Sequence, residues 1–320
     1  MKTMKAVVIY EPGGPEKLVI EQRPVPQTKT EWSLVRIHGF GINHSEIFTR
    51  NGLSPTVKFP RILGIECVGE IAETTDGKRL PVGQKVISIM GEMGRAFDGS
   101  YAEYALLPNR QLYPVSTDLP WDILAAIPET FYTAYGSFLN LRIHGSDSIL
   151  VRGATSGVGL AFLKLVKGQF PDVRVTGTSR NERKRERLLN AGFDHVVIDQ
   201  NGVLQTDRKY DRIMDLIGPS AISDTFLHMK EGSIVCITGL LGGIWTIRDF
   251  DTLEELPANS YLTSFESKNV NETKINQMLQ YIQKYHIDAR PEKVFTLNQI
   301  QDAHRYLDSS ESFGKVVVLP

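Results

Sequence analysis

Cysteine is nearly absent. Two thiols in 320 residues, Cys67 and Cys236, cannot staple a chain of this length or build a zinc site of four cysteines. Excess charge is absent too. Lys and Arg number 36 against 37 Asp and Glu, a net charge of -1. That gives no basic footprint for nucleic acid or an anionic membrane, so neither is expected as a partner. No apolar run approaches the roughly 18 residues of a membrane helix. The first one, Ala6 to Tyr10, is shorter than the about 7–15 residues of a secretory signal core and reads as a strand. Repeats and low-complexity segments are missing. The simplest expectation is a reduced, cytoplasmic setting. What remains is an ordinary globular composition, 41% hydrophobic and 23% charged, at a length that suggests two domains.

The first third is rich in Val, Ile, Tyr and Leu, broken by Gly, Pro and Asn. Strands are expected at Lys5–Tyr10, Trp32–His38, Ile62–Ala72, Lys85–Met90 and Tyr101–Leu107, at a spacing that suggests a compact barrel. Thr117-Asp118-Leu-Pro120 is a helix-start signal, and the helical spacing from Trp121 to Leu141 is interrupted at Pro128. From Ser148 the chain alternates. Strands at Ile149–Val151, Arg174–Thr178, Val196–Asp199, Arg212–Leu216 and Ser233–Gly239 are interleaved with helices at Val158–Lys167 and Glu182–Ala191. Such alternation predicts βαβ units around a parallel sheet. Tyr261–Phe265 adds a strand and Asn271–Tyr285 a helix. A last helix, Leu297–Leu307, and a last strand, Lys315–Leu319, close the pattern.

The segment from Ser148 to Ala161 reads strand, glycine turn, helix, with Gly153, Ser156, Gly157, Val158 and Gly159 at the turn. Glycines let backbone approach a pyrophosphate, and the helix N-terminus offers free N–H groups and a positive dipole end. The spacing is G-x-x-x-G-x-G, so the usual dinucleotide fingerprint is not matched literally, but the strand-to-helix context it needs is present. An NAD enzyme usually places an acid about 20 residues on. Here that stretch holds Thr178, Ser179 and Arg180, with Lys184 following. Hydroxyls and cations suit a 2′-phosphate, which favours NADPH. Alternatively, Arg183, Lys184, Arg185 and Arg187 form one solvated helix face, and Glu182 serves a ribose hydroxyl.

The chain as a whole resembles the medium-chain dehydrogenase/reductase superfamily, and within it the zinc-independent quinone oxidoreductase group related to zeta-crystallin. The segments that carry the resemblance run in order: the loop Gly41–Gly52 with Asn43, Glu46 and Arg50; Pro60–Gly69 with Gly64 and Glu66; Gly99–Tyr104; Ala125-Ala126 followed by Thr133-Ala-Tyr135; Ala303-His304; and Gly314-Lys315-Val316-Val317. The resemblance implies a GroES-like β domain over 1–124, completed by 289–320. It also implies an inserted Rossmann domain with a doubly wound parallel sheet over 125–288, and an active site in a cleft between them. Zinc relatives keep their ligands where this chain has Asn43, Ile65 and Glu129. Isoleucine cannot ligate and asparagine is a poor zinc ligand, so no metal is expected. His44 lacks a companion at metal spacing, and Cys67 reads as a core thiol.

Without a Lewis acid to hold an alkoxide, the expected chemistry is hydride transfer from NADPH to a quinone or enone that needs little activation. An alkenal or enoyl reductase differs only in its pocket. A relative that binds cofactor with little turnover is the reading from another class. Asn43 and Tyr135 are the candidate catalytic residues, against loop capping and core packing as their alternatives. Thr133, Thr238 and Gly239 would line the nicotinamide end. Glu46 and Arg50 read as a structural pair. A homodimer is expected by analogy, through the strand at Tyr261–Phe265 with Trp245–Arg248 as a further edge. Purified protein is expected to carry no stoichiometric zinc. Elemental analysis showing one zinc per chain, with activity lost to a chelator, contradicts this.

Overall fold

A computed structural model describes residues 2–320. Along the chain come β1 (Thr3–Ile9), β2 (Val19–Pro24), β3 (Trp32–Ile42), α1 (His44–Arg50), β4 (Arg61–Ile62), β5 (Glu66–Glu73), β6 (Lys85–Ile89), β7 (Tyr104–Pro108) and β8 (Tyr113–Pro114). Two helices, α2 (Trp121–Ala125) and α3 (Pro128–Leu141), meet at Pro128 as the sequence predicts. The alternating region gives β9 (Ser148–Arg152), α4 (Gly157–Gln169), β10 (Arg174–Ser179), α5 (Arg185–Asn190), β11 (His195–Gln200), β12 (Val203–Leu204), β13 (Tyr210–Asp215), α6 (Ile222–Leu227), β14 (Met229–Ile237) and β15 (Tyr261–Ser264). Then follow α7 (Glu272–Lys284), β16 (Lys293–Thr296), α8 (Ile300–Asp308) and β17 (Val316–Leu319).

The chain divides into two compact units. The first comprises Met1–Tyr132, Ser267–Tyr281 and Ala289–Pro320, and the second Thr133–Glu266 and Ile282–Asp288. One division point therefore falls inside the continuous helix α3.

In the first unit β3 is the organising strand. It pairs antiparallel with β5, β7 and β17, within a sheet ordered β16-β17-β3-β5-β6-β8. A smaller sheet, β2-β1-β4, shares the same apolar core: Val7 and Ile9 pack in one cluster with Val35, Phe40, Ile71, Tyr101 and Val316. The strand expected over Ile62–Ala72 is broken into β4 and β5. Gly64 has φ 108°, a backbone conformation that glycine alone takes without strain and that no pleated strand contains. β2, α1, β8, β12, α6 and β16 were not foreseen: β2 is half-exposed, α1 is only two turns long, and β8 and β12 span two residues each.

The second unit holds a single sheet ordered β12-β11-β10-β9-β13-β14-β15. All its pairings are parallel except that of β12 with β11. Ile149, Leu150 and Val151 are fully buried, as both faces of a parallel sheet require. From β9 the order runs outward through β10 and β11 on one side and β13, β14 and β15 on the other. This is the doubly wound arrangement, with its switch point between β9 and β13. Arg152 ends β9 with no solvent exposure. Its guanidinium reaches Asp199 at 3.0 Å, Asp224 at 2.9 Å and the Gly202 carbonyl at 2.7 Å, which ties the strand end to its neighbours. Trp245–Arg248 forms no strand. Among the described residues no helix is long and apolar enough to cross a membrane.

A second buried polar cluster pins α1 to α8. Arg50 donates to Asp308 at 2.8 Å, to His304 Nδ1 at 3.1 Å and to the Gly13 carbonyl at 3.1 Å. Arginine can only donate, so Nδ1 of His304 must accept, and Nε2–H donates to the Tyr101 oxygen at 3.0 Å. Burial, with the Arg50 charge beside it, pushes the His304 imidazole down from 6.5 to about 3. Between those values the unfolded chain binds the proton and the native protein does not, so this group removes stability as pH falls through that window. In His304→Gln, the amide can accept from Arg50 and donate to Tyr101 without titrating. Its urea-unfolding free energy is expected to fall less steeply than the wild type's between pH 6.5 and 4. An unchanged slope contradicts the assignment.

Candidate active site

Glu66, the first residue of β5, is fully buried. Its Oε1 accepts from Asn43 Nδ2 at 2.8 Å and from Lys315 Nζ at 2.6 Å, and its Oε2 accepts from the backbone N–H of Glu129 at 2.7 Å. Lys315 Nζ also donates to Asn43 Oδ1 at 2.8 Å. A triangle of amide, ammonium and carboxylate thus joins the loop before α1, β5 and the residue preceding β17. Gly41 makes room for it, since a Cβ there would meet both Glu66 Oε1 and Lys315 Nζ.

Asn43 also occupies the N-cap position of α1, and Glu46 reaches back to its backbone N–H at 3.1 Å while accepting from Ile65 N at 3.2 Å. Burial, then the charge of Glu66, pushes the Glu46 carboxyl up to about 7, against the pull of Lys315 and the Ile65 N–H. Arg50 turns the other way, to Asp308 and His304. The expected Glu46–Arg50 pair does not form; each residue is structural with different partners.

At the positions where the resemblance puts zinc ligands stand Asn43, the buried aliphatic Ile65, and Glu129, whose carboxylate accepts from Ser267 at 2.7 Å. The cation beside Asn43 is the Lys315 ammonium, bonded to Asn43 Oδ1 and Glu66 Oε1. Among the described residues no three His, Cys, Asp or Glu side chains come together as a metal-holding group. This donor set does not fit zinc. Cys67 is buried, and burial pushes its thiol up to about 12.

In the second unit, Ser156 caps α4. Its hydroxyl accepts from Gly159 N at 3.1 Å and donates to the Gly153 carbonyl at 2.8 Å. Gly157 and Val158 follow as the first helical residues, whose N–H groups have no acceptor within the helix. Gly159 lies against the turn so closely that a Cβ would sit 2.9 Å from the Gly153 carbonyl oxygen and the Ala154 Cα.

The hydroxyls at the end of β10 have local work. Thr178 accepts from Gly153 N at 3.0 Å, which ties β10 to the turn. Ser179 donates to the Asn181 carbonyl at 2.9 Å and accepts from Asn181 N at 3.0 Å. Arg180 is exposed and makes no ion pair among the described residues. Glu182 is taken up by Arg185, and Lys184 is half-buried.

Thr238 directly follows β14, hydrogen-bonded to Ser137 at 2.8 Å, and Gly239 packs on the Leu216 backbone so tightly that a Cβ would overlap it. Tyr135 is mostly buried and stacks on Phe138 with ring centroids 6.4 Å apart. Thr133 is buried one turn before Ser137, whose hydroxyl donates to its carbonyl at 2.9 Å. Lys315, Glu66 and Glu46 were missed as site residues. For Glu66 and Lys315 the signal was there in the form of a charge inside an otherwise apolar predicted strand; for Glu46, in a short helix, there was none.

Residues 29–117 match the family described as alcohol dehydrogenase GroES-like domain, and residues 191–318 match the one described as zinc-binding dehydrogenase. The second match does not include Asn43, Ile65 or Glu129. The chain thus carries segments similar to both families, in keeping with its resemblance to the medium-chain dehydrogenase/reductase superfamily. The chain is 27% identical to the quinone oxidoreductase of Rattus norvegicus, over 99% of its own length and 98% of the relative's. It is 26% identical to the chloroplastic NADPH-dependent alkenal/one oxidoreductase of Arabidopsis thaliana, over 100% of its length and 80% of the relative's. The quinone oxidoreductase structure from Coxiella burnetii superposes with a TM-score of 0.82 at 20% identity, covering both chains fully, which establishes the shared fold.

The Gly153–Gly159 turn has no room for a side chain at its third glycine. Gly159→Ala is expected to cost about 1–3 kcal/mol of stability, the usual penalty of overpacking. Denaturant unfolding within 0.5 kcal/mol of wild type would show that the turn relaxes freely.

Proposed function

We propose that the protein is an NADPH-dependent reductase that delivers hydride to a quinone or another α,β-unsaturated carbonyl without zinc. The observation that carries this reading is the chemistry around Asn43. At the positions where zinc relatives keep their ligands the chain presents an amide, an isoleucine and a glutamate, with the Lys315 ammonium bonded to Asn43 and Glu66. The names of the rat and Arabidopsis relatives point the same way.

The Ser156–Gly159 turn suits a pyrophosphate through the N–H groups of Gly157 and Val158 and the dipole of α4. Ser156 and Thr178 shape that turn rather than reach past it. Ser179 has spent its proton on Asn181, so Arg180 and Lys184 carry the charge complementary to a 2′-phosphate. Thr133, Tyr135, Thr238 and Gly239 line the nicotinamide end, and Asn43 donates to a ribose or substrate oxygen. NADPH supplies the hydride when bound. With no Lewis acid, the chain contributes by positioning and by excluding water, so the acceptor must be intrinsically electrophilic. Solvent protonates the product. An alkenal or enone acceptor meets the same requirement. The assembly is a homodimer joined through the edge strand β15, whose Tyr261 and Leu262 are exposed. A monomer by light scattering at micromolar concentration removes that part.

A panel of quinones, alkenals and enones assayed with NADPH and NADH tests the reading. NADPH oxidation by at least one class is expected. Tight NADPH binding with no turnover supports a binding protein instead, and fast reversible oxidation of simple alcohols refutes the zinc-free logic. A charge-assisted contact contributes about 1.5–3 kcal/mol. Arg180→Ala is therefore expected to weaken NADPH by roughly tenfold or more while sparing NADH. Equal weakening of both removes the 2′-phosphate assignment.

A further inference from the structure

The Asn43 amide does not choose its own orientation. The Lys315 ammonium can only donate, and the Glu66 carboxylate can only accept. Facing both, the amide has one permitted arrangement, with Oδ1 toward Nζ at 2.8 Å and Nδ2 toward Glu66 Oε1 at 2.8 Å. A flip would set NH2 against the ammonium and the carbonyl oxygen against the carboxylate, two repulsive contacts in a region where the Glu66 side chain is 0% and the Lys315 side chain 8% exposed. The ammonium and carboxylate hold each other at 2.6 Å. By valence, one N–H of Nδ2 is left over.

We propose that Lys315 is a positioning residue for the reaction: with Glu66 it locks the Asn43 amide so that the remaining N–H, and never the carbonyl, is offered to a ligand oxygen. The role rests on the reductase reading above. Its physical content is a choice between two rotamers of one amide. An amide free to flip would meet a substrate or ribose oxygen with its own oxygen part of the time, losing a hydrogen bond and adding repulsion. Lys315 takes no proton, electron or bond in this account; it acts only through Asn43.

Acting through Asn43 predicts non-additivity. Lys315→Met is expected to lower kcat/KM by about tenfold in the wild-type background. In the Asn43→Ala background, the same change should lower it less than twofold. Because Lys315→Met leaves Glu66 as a buried carboxylate without its cation, the double variant Glu66→Gln with Lys315→Met removes both charges together and serves where the single variant folds poorly. A second readout needs no catalysis. In 15N-resolved NMR of the protein without ligand, the two Asn43 side-chain protons should be widely separated in the wild type, one being bonded to a carboxylate. They should draw together in Lys315→Met and in the double variant, and Lys315→Arg should keep much of the separation. Equal activity losses in both backgrounds, or Asn43 resonances unchanged by loss of Lys315, overturn the proposal. A wild type inert toward every quinone and enone sinks the functional reading alone, since the NMR arm still decides the orientation.

Discussion

A carboxylate with no exposed surface is costly unless it is paired and hydrogen-bonded, and Glu66 meets that condition with groups drawn from three distant places. Lys315 and Asn43 share one oxygen and the Glu129 N–H takes the other. The last of these lies in the first turn of α3, where unsatisfied N–H groups and the helix dipole favour negative charge. One side chain therefore fixes the Asn43 loop, the start of the helix that leads on to Thr133 and Tyr135, and the approach of β17 to β3. Gly41 and the buried Glu46 follow from it: the first because nothing larger fits beside the triangle, the second because it braces the Asn43 and Ile65 backbone.

The second unit solves a different problem. Its central strand β9 is apolar on both faces between Ser148 and Arg152, and the polar groups that hold the turn sit at strand ends. Arg152 holds the end of β9 through the Asp199 and Asp224 carboxylates and the Gly202 and Ala221 carbonyls, while Ser156 and Thr178 hold the turn by short local bonds. Hydroxyls that look available in a list of residues are thus largely committed to backbone, and exposed cations are what remains at the rim.

Legibility in the sequence tracks the range of the interactions. The βα alternation, the Gly153–Gly159 turn and the two helices meeting at Pro128 are encoded by neighbours, and periodicity and glycine placement display them. β2 escaped because its half-exposed Glu21-Gln22-Arg23 hides the alternation, and α1 because seven residues carry too few apolar repeats. The break at Gly64 depends on a backbone angle that composition does not reveal. The use of Thr178 and Ser179 by the backbone depends on hydrogen-bond geometry. Lys315 and Glu66 are 249 residues apart. Each was visible as a charge in an apolar strand, but nothing local announces that the two answer each other. The Asn43 loop was recognisable through the resemblance, and its partners were not.

That separation has a consequence for the order of folding. β17 pairs with the C-terminal end of β3, Val316–Val318 against Phe40–Ile42, so the first unit is stitched from early and late segments with a complete sheet between them in sequence. During synthesis the second unit can collapse on its own local contacts as it emerges. The first must wait, with Glu66 lacking its cation, until residue 315 leaves the ribosome. An interrupted chain would therefore carry a finished nucleotide-type fold attached to an unsealed barrel with a bare edge on β3, the sort of half-product that chaperones and proteases distinguish from the mature protein.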